Sequence, residues 1–225
     1  MDYVFHFGDI WAARDELING TILTLRLSAI SMVLSLIVAI AGAFARTSGP
    51  AWLRAIVAGY VELIRNTPFL VQIFMIFFGL PTLGIRLDAN TGALIAMVLN
   101  GSAYTIEIVR AGIESIGRGQ IEAAYAVGLN RFRTFRLVVL PQALRVVVPP
   151  LGSQFILLML NSSVCSVISA DELTAATLDI QARTFRPFEA FIVATGIYFC
   201  LSMLFSGAFS AIERFAFGAP REGRR

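Results

Sequence analysis

Lysine is missing from this chain, and all eighteen basic residues are arginine. The phosphate-binding loop of a P-loop ATPase needs a lysine in Gly-x4-Gly-Lys-Ser/Thr. No such loop fits here, so any ATP hydrolysis belongs to another polypeptide. Histidine occurs once, as His6, and cysteine twice, as Cys165 and Cys200. That leaves no disulfide framework, no metal-ligand spacing and no nucleophile–base pair for a membrane-embedded enzyme. Charge is scarce too: 15% of the 225 residues, against about 25% in soluble domains. With 57% hydrophobic residues and a mean hydropathy of +0.75, the composition is that of an integral membrane protein. No cofactor of its own and no nucleic-acid partner are expected.

What is present is a series of long apolar runs. A membrane helix needs about 20 mostly apolar residues. Residues 21–45, 144–170 and 188–215 meet this plainly. The run 92–113 is interrupted by Asn100, Tyr104 and Glu107, and 53–80 carries Arg65-Asn66-Thr67-Pro68 in its middle. The reading is an all-α integral membrane protein with about five transmembrane helices. The first nineteen residues are acidic, and the apolar run after them exceeds a secretory-signal core of about 7–15 residues. No cleaved leader is therefore expected.

Arginine placement orients the chain. With the N-terminus outside and five spans, the inner segments hold Arg46, Arg54, Arg65, the six arginines from Arg110 to Arg145 and the C-terminal group. The outer segments hold only Arg14, Arg86, Arg183 and Arg186, a clear positive-inside bias. Residues 1–19 then form an outer tail, 20–215 one transmembrane domain, and 216–225 a basic cytoplasmic tail. Acidic residues on the outer side (Asp9, Asp15, Glu16, Asp171, Glu172 and Asp179) face solvent or a soluble partner. Ser202, Ser206 and Ser210, four residues apart, suit close helix packing.

The polar segment 118–141 falls inside. Gly119 and Gly128 bracket an alanine-rich stretch suited to a short helix over 120–127. Gly128 permits a left-handed turn to end it, and Pro141 is expected to stop a second helix over 131–139. Glu122 would cap amides near the helix start or pair with an arginine of a partner. Glu122-Ala-Ala-Tyr-Ala-Val-Gly128, followed by Val138-Val-Leu-Pro141, closely resembles the EAA loop of bacterial ABC-importer permeases. Val138 stands where Ile is usual. Further stretches resemble the polar amino-acid uptake branch: Arg65-Asn-Thr-Pro-Phe-Leu-Val-Gln72, Phe77-Phe-Gly-Leu-Pro81, Ala103-Tyr-Thr-Ile-Glu107 and Arg183-Thr-Phe-Arg-Pro-Phe188.

The resemblance implies a type I importer fold and an alternating-access permease for polar amino acids or opine-like derivatives in the bacterial inner membrane. It implies four partners: a dimer of ATPase subunits carrying ATP and Mg, a second identical or homologous permease subunit, a periplasmic substrate-binding protein, and the amino acid itself. Glu122, Ala123, Ala124, Gly128, Leu140 and Pro141 would form the ATPase-coupling element, a short helix docking on the ATPase. In such a permease this subunit does no covalent chemistry. A secondary transporter is the alternative, although it would need intramembrane carboxylates for ion coupling, and only Glu107 is a candidate.

Polar residues inside spans face a bundle interior or a watery cavity, which gives three candidate groups for substrate binding. Gln154 and Asn161 share a stripe of the fourth span, with Ser162 and Ser163 adjacent. Asn100, Tyr104 and Glu107 share a stripe of the third. Arg65, Asn66 and Thr67 precede Pro68, which suits a helix's first position with Asn66 or Thr67 as its cap. A half-helix N-terminus there, reinforced by Arg65, would hold an α-carboxylate. Each group has a structural alternative: a Glu107–Arg110 pair at i+3, hydrogen-bonded helix packing at 161–163, and a simple bend at 65–68. In related permeases a Lys or other polar residue often stands where this chain has Leu160.

Overall fold

The computed structural model describes residues 3–217, so only the first two residues of the tail 216–225 fall within it. It consists of α1 (Gly8–Ala12), α2 (Arg14–Ser48), α3 (Ala51–Arg65), α4 (Phe69–Gly79), α5 (Ala89–Glu114), α6 (Arg118–Ala126), α7 (Arg131–Thr134), α8 (Leu140–Asn161), α9 (Leu173–Thr184) and α10 (Pro187–Phe217). Four helical stretches are long and apolar enough to cross a membrane, and a fifth span results if the bent pair α3–α4 is one crossing.

The longest helix is α2, which starts at Arg14, seven residues before the apolar run that announces it. Asp15 and Glu16 in its first turn and Arg46 in its last complement the helix dipole. Its buried face is a stripe of small residues: Gly20, Thr24, Ser28, Ser31, Ser35, Ala39 and Ala43. Its Gly20–Thr24 end meets α9, and further along lies α5, whose Gly101 is so close that a Cβ there would stand 2.6 Å from Ser35 Oγ. Ser35 Oγ also donates to the Val98 carbonyl at 3.2 Å. Without a hydrophobic driving force between helices in lipid, such close approach is what holds the pair. The stripe expected from sequence, Ser202–Ser206–Ser210, is not used this way within the chain. Ser206 and Ser210 are exposed, because α10 lies at the bundle's edge and turns that face outward.

The bend between α3 and α4 is 108°. Pro68 has no N–H and forces Thr67 out of the helical region, and the carbonyls so freed at the end of α3 find side-chain donors. Asn66 Nδ2 donates to Glu62 O at 2.8 Å, Thr67 Oγ1 to Leu63 O at 2.8 Å, and Gln72 Nε2 to Ile64 O at 2.7 Å. This corrects the expected capping. Pro68 is itself the N-cap of α4, with no side-chain cap, because Asn66 and Thr67 are spent finishing the helix before it.

A second correction concerns Pro141. The segment from Arg131 to Ile168 is one continuous helical rod of 38 residues, not two pieces separated at the proline. Phe135–Val139 winds as a π-turn just ahead of Pro141. The wider turn accommodates the missing donor and the ring that would clash in a regular α-helix. The expected span over 144–170 is thus the later part of a longer rod, whose end, Ser162–Ile168, tightens to 3-10 geometry.

At the opposite end from α6, α9 rests in a pocket of buried acids. Glu172 is fully buried. Its Oε1 accepts from Ala175 N–H at 2.9 Å, capping α9, while Tyr198 Oη donates to Oε2 at 2.7 Å. Burial pushes the Glu172 carboxyl above the usual carboxylate range, against the lowering effect of these donors. A raised carboxyl favours the protonated folded state. Its contribution is therefore full at acid pH and lost as pH rises through the raised value. Glu172→Gln is expected to raise the thermal midpoint in detergent at neutral pH and to flatten its fall above the ordinary carboxylate range. An unchanged pH profile would contradict this. Nearby, Glu189 is buried at the head of α10 and accepts from the Tyr3 hydroxyl and from His6 N–H at 2.9 Å, tying the N-terminal segment down.

Candidate functional site

The broken span and the α8 rod enclose a cavity of about 310 Å³, lined by Thr67, Pro68, Phe69, Asn100, Tyr104, Gln154, Leu157 and Asn161. Each of the three candidate groups contributes to it. Pro68 and the first turn of α4 enter from the bend, Asn100 and Tyr104 project one turn apart from α5, and Gln154 and Asn161 stand two turns apart on α8. Asn100 Nδ2 donates to Gln72 Oε1 at 2.9 Å, and Gln72 Nε2 reaches Thr67 O and Oγ1 at 3.0 and 2.9 Å. Among the described residues, the amides of Gln154 and Asn161 and the Tyr104 hydroxyl make no hydrogen bond to the protein. They line a space of amino-acid size at the lower end of ligand-pocket volumes.

The other candidates are placed elsewhere. Asn66 folds back on Glu62. Ser162 is buried and donates to Met159 O at 2.6 Å, and Ser163 donates to Leu160 O at 2.7 Å. Both serines bond back onto their own helix in the 3-10 turn and lie outside the lining, so they make neither a cavity wall nor the expected bonds between helices. Arg65 borders the cavity rather than lining it, with its guanidinium 5.5 Å from the centre of the Tyr104 ring. Gln72 and Phe69 were not among the candidates; the signal for Gln72 was a lone amide inside an apolar run just past the break.

Glu107 does not reach the cavity lining. It sits at the centre of an arginine cluster, 3.1 Å from Arg46, 2.7 Å from Arg110 and 4.0 Å from Arg65. Its side chain keeps 18% exposure. The expected i+3 pair with Arg110 is real, and the carboxylate also fastens α5 to α2 and α3. Arg110 in turn pairs with Glu114.

The second site is the segment that follows α5. Two close bonds end α6: Gly128 N–H to Tyr125 O at 2.9 Å and Leu129 N–H to Ala124 O at 3.1 Å, with Gly128 at φ 83°. This paired pattern is a Schellman cap, which requires a left-handed residue at that position. Ala123 and Glu122 are exposed, and Ala124 is buried. Glu122 lies beyond the first turn of α6, whose N-cap is Gly117 without a side-chain bond. The expected capping by Glu122 therefore does not occur, because the helix begins at Arg118 rather than Gln120. Among the described residues Glu122 makes no hydrogen bond or ion pair. Around it stand exposed apolar side chains, Val127 at 77%, Phe132 at 70% and Leu137 at 62%. Leu140 and Pro141, also exposed, open α8 beside them.

These features agree with what comparison finds. Residues 31–217 match the family described as binding-protein-dependent transport system inner membrane component. The chain is 37% identical over 213 residues to the glutamine transport system permease protein GlnP of Escherichia coli K12, covering 93% of this chain and 97% of that one. It is 39% identical over 197 residues to the L-cystine transport system permease protein TcyB of Bacillus subtilis, covering 87% and 84%. Among solved structures, an amino acid ABC transporter crystallised with histidines superposes with a TM-score of 0.89 at 34% identity, covering 95% of this chain and all of that one. The MetNI methionine ABC transporter shares the fold, with a TM-score of 0.73 at 20% identity. An arginine-rich loop with a Schellman-capped helix, a broken span and a continuous α8 rod thus stand in a chain that belongs to the inner-membrane permease family of ABC importers.

Proposed function

We propose that this chain is one permease subunit of an ATP-driven importer of polar amino acids or opine-like derivatives in a bacterial inner membrane. The observation that carries the reading is the exposed, Schellman-capped α6, in a chain alike over nearly its whole length to amino-acid permeases. Its N-terminus lies outside and its C-terminus in the cytoplasm, a placement supported by the arginine distribution. Two ATPase subunits holding ATP and Mg, a second permease subunit and a periplasmic binding protein complete the transporter. Closure of the ATPase dimer draws the α6 elements together and opens the pathway outward, and hydrolysis resets it. Glu122, Ala123, Ala124 and Gly128 form the docking element, with Leu140 and Pro141 at its junction to α8. The cavity of Thr67, Asn100, Tyr104, Gln154 and Asn161 is where the amino acid pauses. Its α-carboxylate faces the free amides of the first turn of α4 and Arg65.

The test is reconstitution. Purified from its own membranes in mild detergent, the tagged chain is expected to carry a stoichiometric ABC ATPase. In proteoliposomes supplied with the binding protein it is expected to take up amino acid only with ATP and Mg. Uptake by the chain without an ATPase, driven by an ion gradient, would replace this reading with that of a secondary transporter. A membrane-impermeant thiol reagent added to intact cells is expected to leave a cysteine at Val127 unlabelled and to label it once the cells are opened. Labelling from outside would invert the topology.

A further inference from the structure

None of the eight residues lining the cavity carries a charge. Three present primary amides or a phenol whose hydrogen-bonding groups have no protein partner among the described residues: Gln154, Asn161 and Tyr104. The fourth polar wall, Asn100, spends its Nδ2 on Gln72 and keeps its carbonyl oxygen as an acceptor. An amide both donates and accepts, so this lining matches a ligand end that also does both. The three unpartnered groups are half-buried, and a ligand that displaces water from them without replacing its hydrogen bonds loses affinity.

Charge bears on the same point. The charged group touching a lining side chain is Arg65, which lies over the Tyr104 ring. Glu107 is the carboxylate that would draw a cationic ligand, but it is divided among Arg46, Arg65 and Arg110. With Glu114 counted, three arginines face two carboxylates, so the cluster beside the cavity has a surplus of positive charge. A guanidinium or ammonium side chain would enter a neutral chamber next to that surplus, where Glu107 is already shared and Glu62, the other carboxylate at this end of α3, is turned to Asn66. Leaving water for an unpaired position of this kind is costly.

We propose that the cavity takes an amide-bearing side chain in preference to a cationic one, with Gln154 and Asn161 as the specificity-determining residues. This rests on the reading of the cavity as the amino-acid site. It also adds a filter in the membrane, independent of the one in the soluble binding protein.

The experiment uses the purified permease–ATPase complex without its binding protein, and saturation-transfer NMR with millimolar L-glutamine, L-arginine and L-glutamate. The wild-type complex is expected to favour glutamine over arginine by about tenfold or more, a difference of about 1.4 kcal/mol. Asn161→Asp and Gln154→Glu each install a carboxylate, and they are expected to reverse the order. Asn161→Leu is expected to weaken glutamine without admitting arginine. Arginine binding as well as glutamine to the wild type, with both lost in Asn161→Leu, would overturn the selectivity while leaving the cavity as the site. Binding of all three ligands that no lining substitution alters, or no binding by a complex that retains ATPase activity, would overturn the cavity as the site itself.

Discussion

Gly128→Val is expected to leave the chain inserted in the membrane at normal abundance and to lower ATP-driven uptake by at least an order of magnitude. The reason is local. Gly128 holds φ at 83° with open space around its Cα, so a side chain meets no neighbour and the cost is purely conformational. A left-handed residue costs about 1–2 kcal/mol when it carries a Cβ, and a β-branched one more. That strain falls on the two bonds that end α6, to Tyr125 O and Ala124 O. Losing them frees the last turn, and with it the presentation of Glu122 and Ala123 to the proposed ATPase partner. The remainder of the bundle is remote, so the thermal midpoint of the detergent-purified chain should barely move. Basal ATPase activity should persist in the complex but no longer respond to loaded binding protein. Normal uptake by well-expressed Gly128→Val would remove α6 from the coupling path.

Glu107→Ala acts on the other structural knot and is expected to be the most destabilising single substitution in the helix bundle. It leaves Arg46, Arg65 and Arg110 facing one another from three helices. Removing one partner of a largely buried ion pair typically costs about 3–5 kcal/mol. The lower end applies here, because the carboxylate keeps 18% exposure and Arg110 retains Glu114. The thermal midpoint in detergent should drop by several degrees. Adding Arg46→Leu should restore part of it, since the second change relieves repulsion that the first created; a double-mutant cycle reads that coupling directly. A single variant that melts with the wild type would show that solvent already screens the cluster.

The contrast between these two positions explains what could be read from the sequence. The short helix α6 was legible because its determinants are local: alanines set a helix, and a glycine sets its left-handed end within one turn. The spans were legible from apolar length, and the cavity in outline from amides stranded inside them. Local signals failed where geometry decides. Ser162 and Ser163 adjoin Asn161, yet the change to 3-10 winding turns them onto their own backbone. Asn66 and Thr67 look like caps for the helix ahead, but they serve the one behind because a 108° bend strands its carbonyls. The stripe from Gly20 to Ala43 is as regular as Ser202–Ser210, and only the packing shows which of the two meets a partner helix.

Pro141 brings a mechanical consequence through the π-turn ahead of it. Because winding never breaks between Arg131 and Ile168, the exposed turn that follows α6 and the amides of Gln154 and Asn161 belong to a single crankshaft roughly 50 Å long. Torque delivered at one end reaches the other through two compliant points, the wide turn at Phe135–Val139 and the Pro149–Pro150 pair, which withholds two ladder donors. Tightening that turn by one residue would swivel everything beyond it by about 100°.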